Sequence, residues 1–165
     1  GTRMEMACGG RALQLLNTAL EQNKQVSQAF SAHWTETGEA ARKMNDTLAQ
    51  LKFRISTLEK QIFQSIAKSY VNSGDVLHFE EALDGTALRE LADSIAALCG
   101  STAAVFTGTD EGGYAFCLVT HDGDLRQLGK EMTKALKGRG GGKPAFQQGR
   151  VQAKKAEIEA FFATR

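Results

Sequence analysis

The chain has almost no proline. Its single one, Pro144, lies late in the sequence, so nothing before it bars long uninterrupted helices. Cysteine is scarce as well: Cys8, Cys99 and Cys117 are odd in number, far apart and free of any C-x-x-C pair. That pattern excludes a disulfide framework and fits a reducing, cytoplasmic setting. No apolar run approaches the ~18 residues needed to span a bilayer, and no basic-then-apolar signal segment is present, so no membrane partner is expected. Recognisable catalytic signatures are missing too. His33, His78 and His121 are scattered, with no H-x-x-x-H or H-E-x-x-H, so no intrinsic zinc site is expected. There is no G-x-S-x-G elbow, and the cysteines lack the basic neighbours that activate a thiol. Asp75, Glu80, Glu81 and Asp84 read as an acidic solvated rim with a helix cap rather than a metal cluster. The expectation is a chain with no catalytic residues and no metal of its own.

What is present is unevenly distributed charge. The net charge is +1. Residues 75–120 carry one basic and eight acidic side chains, whereas residues 121–165 carry ten basic and five acidic. Half of all Lys and Arg therefore falls in the last 45 residues, a possible footprint for phosphate or nucleic acid.

The first half reads as helix. After a short alternating stretch at residues 1–8, stopped by Gly9-Gly10, the positions Ala12, Leu16, Ala19, Val26 and Phe30 recur at near-helical spacing, with Asn23 in one inward slot. "SAHWTETGE" interrupts, and Thr37 is a candidate cap for a second helix. Ala41, Met44, Leu48, Leu51, Ile55, Leu58 and Ile62 then step by three and four, a heptad seam. A helix of ~35 residues would be ~50 Å long. Its stripe needs cover: an antiparallel hairpin with the first helix, a second copy of the chain, or both. Residues 9–74 are thus expected to form a helical, coiled-coil hairpin with Leu48, Leu51, Ile55, Leu58 and Ile62 as a homodimer interface.

From Asp75 the pattern changes to short alternating units. "DVLHFEEAL" reads as a strand, and Asp84 as the cap of a helix whose inward face is Leu88, Leu91, Ile95 and Leu98, stopped by Gly100. "TAAVFTG" and "YAFCLVT" are strands joined by a short loop. Leu125 to Lys137 is a further amphipathic helix, and Val151 to Phe162 a last one. The fold class is α+β: a long helical hairpin, then over 75–165 a small α/β sandwich ordered roughly β-α-β-β-α-Gly loop-α, with helices against one sheet.

Between the last two helices lies "GRGGGKPAFQQGR", residues 138–150. It is not a Walker loop, because Lys143 is followed by proline and the stretch follows a helix. Gly140, Gly141 and Gly142 carry no Cβ, so a phosphate–sugar backbone can come close to main-chain N–H groups. Arg139 and Lys143 supply charge on either side, Pro144 fixes the exit, and Gln147 and Gln148 offer amide donors. Anion binding and a slack surface loop both stay open on these residues alone.

The stretch resembles the glycine-rich signature of the DHH-associated domain: glycines, a basic residue, Pro and a Gln-Gly segment. That domain occurs in alanyl-tRNA synthetases, longer alanyl-tRNA editing proteins and DHH-type phosphoesterases. "GTRMEMACGGRAL" resembles the last strand of the alanyl-tRNA editing domain, and "ALRELADSIAAL" the family's helix before the central strands. The resemblance implies a fragment of an alanyl-tRNA synthetase-like or editing protein. Residues 1–8 would be a remnant of the editing domain's last strand, and 75–165 the DHH-associated domain with its glycine-rich loop at 138–149. It further implies tRNA, in particular tRNA(Ala), as partner, a dimerising helical segment, and zinc in an upstream editing domain. The family's H-x-x-x-H and C-x-x-x-H zinc pairs do not occur here, so ligase or hydrolase activity would belong to the parent protein. The residues implied in tRNA binding are Arg139, Gly140, Gly141, Gly142, Lys143, Pro144, Phe146, Gln147, Gly149, Arg150 and Lys154. Arg139 interrupts the glycine run, Lys143 stands where Arg is commoner, and Phe146 replaces a small residue. Phe146 could stack on a base or anchor the loop in the core. Two other readings stand beside this one: the substrate-binding domain of a DHH-type phosphoesterase, and a purely structural oligomerisation module.

Overall fold

A computed structural model describes residues 6–164. The element order is α1 (Gly9–Phe30), α2 (Thr37–Lys68), β1 (Gly74–Glu80), α3 (Gly85–Cys99), β2 (Gly100–Thr109), β3 (Gly113–Thr120), α4 (Arg126–Ala135), β4 (Arg139–Lys143), β5 (Phe146–Val151) and α5 (Lys155–Ala163). The chain divides into two compact units within α2, at Ile55 and Ser56. The strand expected over residues 1–8 lies mostly outside the described residues, and Met6 to Cys8 belong to no regular element.

In the first unit, α1 ends on Ser31 in the left-handed conformation. Asn23 ties the turn: its Nδ2 donates to the Trp34 carbonyl at 2.7 Å, and Thr37 Oγ1 donates to its Oδ1 at 2.7 Å. The polar residue inside the apolar periodicity is therefore a clip for the connection. No residue of α1 is buried. On α2 the seam residues Leu48, Leu51, Ile55, Leu58 and Ile62 are each about half exposed, between 48% and 56%. The described residues leave the heptad stripe uncovered. Among them, no helix is long and apolar enough to cross a membrane.

The second unit is built on a five-stranded mixed sheet in the order β1-β2-β3-β5-β4. β1 and β2 are parallel, joined through α3; every other pairing is antiparallel. Asp84 caps α3, accepting from the N–H groups of Thr86 and Ala87 at 2.8 Å each, and Gly100 ends it at φ +83°. The central strands are apolar on both faces. Ala103, Val105, Cys117 and Val119 pack with α3 and with Phe63 and Ala67 at the end of α2. Ala104, Phe106, Phe116 and Leu118 pack with Met132 of α4 and Ile158 of α5. Helices thus cover both faces of the one sheet. A strand with successive apolar residues needs both sides covered, and Ala103 to Phe106 of β2 form such a run.

The glycine stretch is not a loop. Arg139–Lys143 and Phe146–Val151 are paired strands joined by the two-residue turn Pro144-Ala145. Val151, expected to start the last helix, is the end of β5 and is buried; α5 begins at Lys155. There Lys155 N–H donates to Asp110 Oδ1 at 2.8 Å, holding the helix start to the β2–β3 turn. That bond, together with the Tyr114 hydroxyl at 2.9 Å, keeps the Asp110 carboxyl below its usual range. Of the acidic residues expected as a rim with a helix cap, Asp84 caps α3, Asp75 takes the Ser101 hydroxyl and Glu80 meets His78 at 3.0 Å. Cys117 is buried, and burial pushes its thiol up to about 12, an inert core cysteine.

Candidate nucleic-acid interface

The hairpin is the outermost part of the sheet. β4 pairs only with β5, so its other edge presents unpaired main-chain groups. Two interactions fix the turn. The Pro144 carbonyl accepts from Leu125 N–H at 2.7 Å, and the Ala145 carbonyl from Thr120 N–H at 3.1 Å.

Residues directly opposite in an antiparallel pair share a face. Lys143 opposes Phe146, Gly141 opposes Gln148, and Arg139 opposes Arg150. Phe146 packs against the α3-side core, so these six positions all lie on that side. The α3 helix covers β1 to β3, but at the hairpin Arg139, Gly141, Lys143, Gln148 and Arg150 are all exposed. The result is an uncovered sheet face carrying three cations. Arg89 of α3 borders it, with its guanidinium 4.7 Å from the centre of the Phe146 ring. Phe146 is thus held between the core and a cation.

The opposite face of the hairpin meets α4. There the glycines are dictated by contact. A Cβ on Gly140 would lie 2.7 Å from the Phe116 ring and 2.6 Å from the Gln148 carbonyl oxygen. One on Gly142 would overlap the Phe146 carbonyl, and one on Gly149 the Arg139 carbonyl. Gly141 is different, because a Cβ there would meet nothing within 4 Å and its φ is not positive. Packing explains three of these four glycines; Gly141 is bare on the open face, between Arg139 and Lys143.

On the α4 side, Gln147 is buried and its Nε2 donates to the Lys143 carbonyl at 2.8 Å, so this amide serves the hairpin itself. It lies against Gly129, which a Cβ would bring to 3.1 Å from Gln147 Oε1. Around them Arg126, Gly129, Lys130 and Thr133 of α4 and Gly140, Gly141 and Gly142 of β4 line a groove of about 180 Å³. Arg126 is engaged by Asp124, with Nη2 to Oδ2 at 2.6 Å, which holds the Asp124 carboxyl down at about 2.

Of the expected site residues, Arg139, Gly140 to Gly142, Lys143, Pro144, Gly149 and Arg150 are brought together on the hairpin. Arg150 also donates to the Gly112 carbonyl at 3.3 Å. Lys154 is exposed just before α5, whereas Lys155 is turned over the Phe79 ring at 4.8 Å. Arg89, Arg126, Lys130 and Thr133 were not foreseen. The α4 set steps by three and four on one helical face, and a glycine inside that helix was the signal that something packs closely there. A larger cavity, about 540 Å³, lies among Asp75, Leu77, Leu128, Glu159 and Phe162; no basic side chain lines it.

Residues 63–164 match the family model of the DHHA1 domain, well over half of the chain. The alanine–tRNA ligase of Psychrobacter sp. (strain PRwf-1) is 25% identical over 159 residues, covering 89% of this chain and 18% of the ligase. The chain thus spans under a fifth of that relative's length. The C-Ala domain of Aquifex aeolicus alanyl-tRNA synthetase aligns with 53% of this chain and 86% of its own, at 23% identity and a TM-score of 0.44. Exonuclease RecJ bound to manganese aligns at 14% identity and a TM-score of 0.58, covering 79% of this chain and 32% of its own. RecJ from Thermus thermophilus aligns at 13% identity and a TM-score of 0.52, covering 86% of this chain and 28% of its own. The RecJ structures share the fold.

The two classes of glycine behave differently on substitution. Gly140→Ala is expected to cost about 1–3 kcal/mol, since neither a buried ring nor a backbone carbonyl can move cheaply. Gly141→Ala is expected to change stability by less than about 0.5 kcal/mol. Urea unfolding midpoints check this, and equal losses at both positions would refute the division.

Proposed function

The chain is a member of the DHHA1 domain family, and from that premise we propose that it is the tRNA-gripping and dimerising module of a cytoplasmic alanyl-tRNA synthetase-like or trans-editing protein acting on tRNA(Ala). The observation that carries the reading is the open basic face of the β4–β5 hairpin with the sterically unneeded Gly141 at its centre. Arg139, Lys143 and Arg150 would each neutralise phosphate, and the bare strand at Gly141 would let the sugar–phosphate backbone reach main-chain N–H groups. Lys154 extends the positive surface past β5. Contacts of this kind position an RNA without reading its sequence. Selection of tRNA(Ala), and any ligase or zinc-dependent hydrolase chemistry, belongs in this reading to other parts of a longer protein. The exposed heptad stripe of α2 supports the dimerising half, because a half-exposed row of Leu and Ile is covered most simply by a second copy.

The alternative reading, the substrate-binding domain of a DHH-type phosphoesterase, draws on the fold likeness to RecJ. A D-H-H motif in the adjoining coding sequence would favour it, whereas H-x-x-x-H and C-x-x-x-H would favour the alanyl-tRNA reading.

Lys143→Glu should weaken tRNA binding about tenfold at low salt and lower the salt slope by at least about one, with the unfolding midpoint unchanged. Unaltered binding, or no binding by the parent chain at about 50 mM salt, would count against the hairpin grip and leave the oligomerisation reading standing. For the dimer, sedimentation of the unaltered chain should give two copies, and Leu51→Asp and Leu58→Asp one folded copy each. A monomeric unaltered chain contradicts the interface.

A further inference from the structure

The hairpin has a second face, and its chemistry differs from the first. The groove between α4 and β4 is lined by Arg126, Lys130 and Thr133 on one wall and the exposed backbone of Gly140 to Gly142 on the other. Its strongest anion-binding group is already occupied. Arg126 Nε lies 3.0 Å from both carboxylate oxygens of Asp124, and its Nη2 lies 2.6 Å from Oδ2. This is the two-pronged arrangement in which a guanidinium also grips a phosphate. Neither partner is buried: the side chains are 60% and 47% exposed. An exposed ion pair of this kind is worth little in water and can be exchanged. Asp124 is also tied to the backbone, accepting from Arg126 N–H at 3.0 Å. The carboxylate is therefore held at the head of α4 whether or not the guanidinium stays on it. The Leu125 bond to the Pro144 carbonyl places that head against the hairpin turn, beside Lys143.

We propose that the α4–β4 groove is a second phosphate site for the same RNA backbone, in which Asp124 holds the phosphate's place on Arg126 and yields it when RNA binds. The inference rests on the tRNA-gripping reading given above. In the free protein Asp124 keeps Arg126 extended over the groove and lowers its pull on stray anions. On binding, a phosphate takes the guanidinium, Lys130 adds a second charge, and the strand at Gly141 is gripped from both sides. Asp124 thus sets the affinity without touching the ligand.

The test is tRNA binding by the full chain across a salt series, with D124N, R126Q, the double variant D124N/R126Q, and D122N as a control for net charge. Asn keeps the acceptor for the Arg126 N–H, so α4 should retain its start. D124N should bind about fivefold tighter than the parent chain at nearly the same salt slope, because the guanidinium contacts phosphate in both and only the competing carboxylate is removed. D122N should gain less than about twofold, since it removes the same charge without touching the Asp124–Arg126 ion pair. R126Q should weaken binding, and D124N/R126Q should match R126Q. Equal gains for D124N and D122N, or a double variant as tight as D124N, would overturn the proposal while leaving the tRNA reading intact. Absence of tRNA binding by the parent chain and every variant would overturn both.

Discussion

The outer sheet depends on a contact that only an absent side chain allows. Gly140 rests on the Phe116 ring and against the Gln148 carbonyl, at distances where any Cβ would collide. Because of that contact β4 can lie flat beside β5, and Gln147 can sit buried between the hairpin and Gly129 of α4. Shift β4 outward and both of its faces change at once. The α4 groove would open, and the row Arg139, Gly141, Lys143 would lose its place opposite Arg150, Gln148 and Phe146. A tight backbone contact on the inner face thus presents a basic, bare surface on the outer one.

Charge follows the same geometry. The acidic stretch of the chain builds β1, α3, β2 and the uncharged β3, whereas the basic stretch builds α4, β4, β5 and α5. Sheet order places β1 and β4 at opposite edges. The hairpin edge of the sheet is therefore basic, while the same stretch returns Lys155 to the far edge, over the Phe79 ring of β1. In the proposed function, the positive field at the hairpin draws an approaching polyanion toward that edge. Arg89 is the exception, a lone cation in the acidic stretch, and it sits at the border of the basic face over Phe146.

Much of the architecture was legible. Asp84 and Gly100 bracket α3 as capping chemistry requires, and the continuous apolar runs of β2 and β3 mark the central strands. The basic cluster around the glycines was visible as composition. The hairpin was not, because three successive glycines read as punctuation when no side chain reports a strand's two faces. Its strand character comes from its partners in the fold: β3, which pairs with β5, and α4, which lies over it. The starting point of α5 was missed for a related reason. Val151 is apolar in either a strand or a helix, and only its pairing with Tyr114 decides. The groove residues of α4 were readable in principle, since Arg126, Gly129, Lys130 and Thr133 share one helical face. Their meaning required knowing what that face meets.

The central claim is that RNA lies along the β4–β5 hairpin. Amide hydrogen exchange of the whole chain, with and without tRNA, measures this directly. Added protection should concentrate at residues 139–150 and at the start of α4, with α1 and the seam of α2 unaffected. Protection confined to the helical segment, or to the apolar cavity beside Asp75 and Phe162, would contradict it.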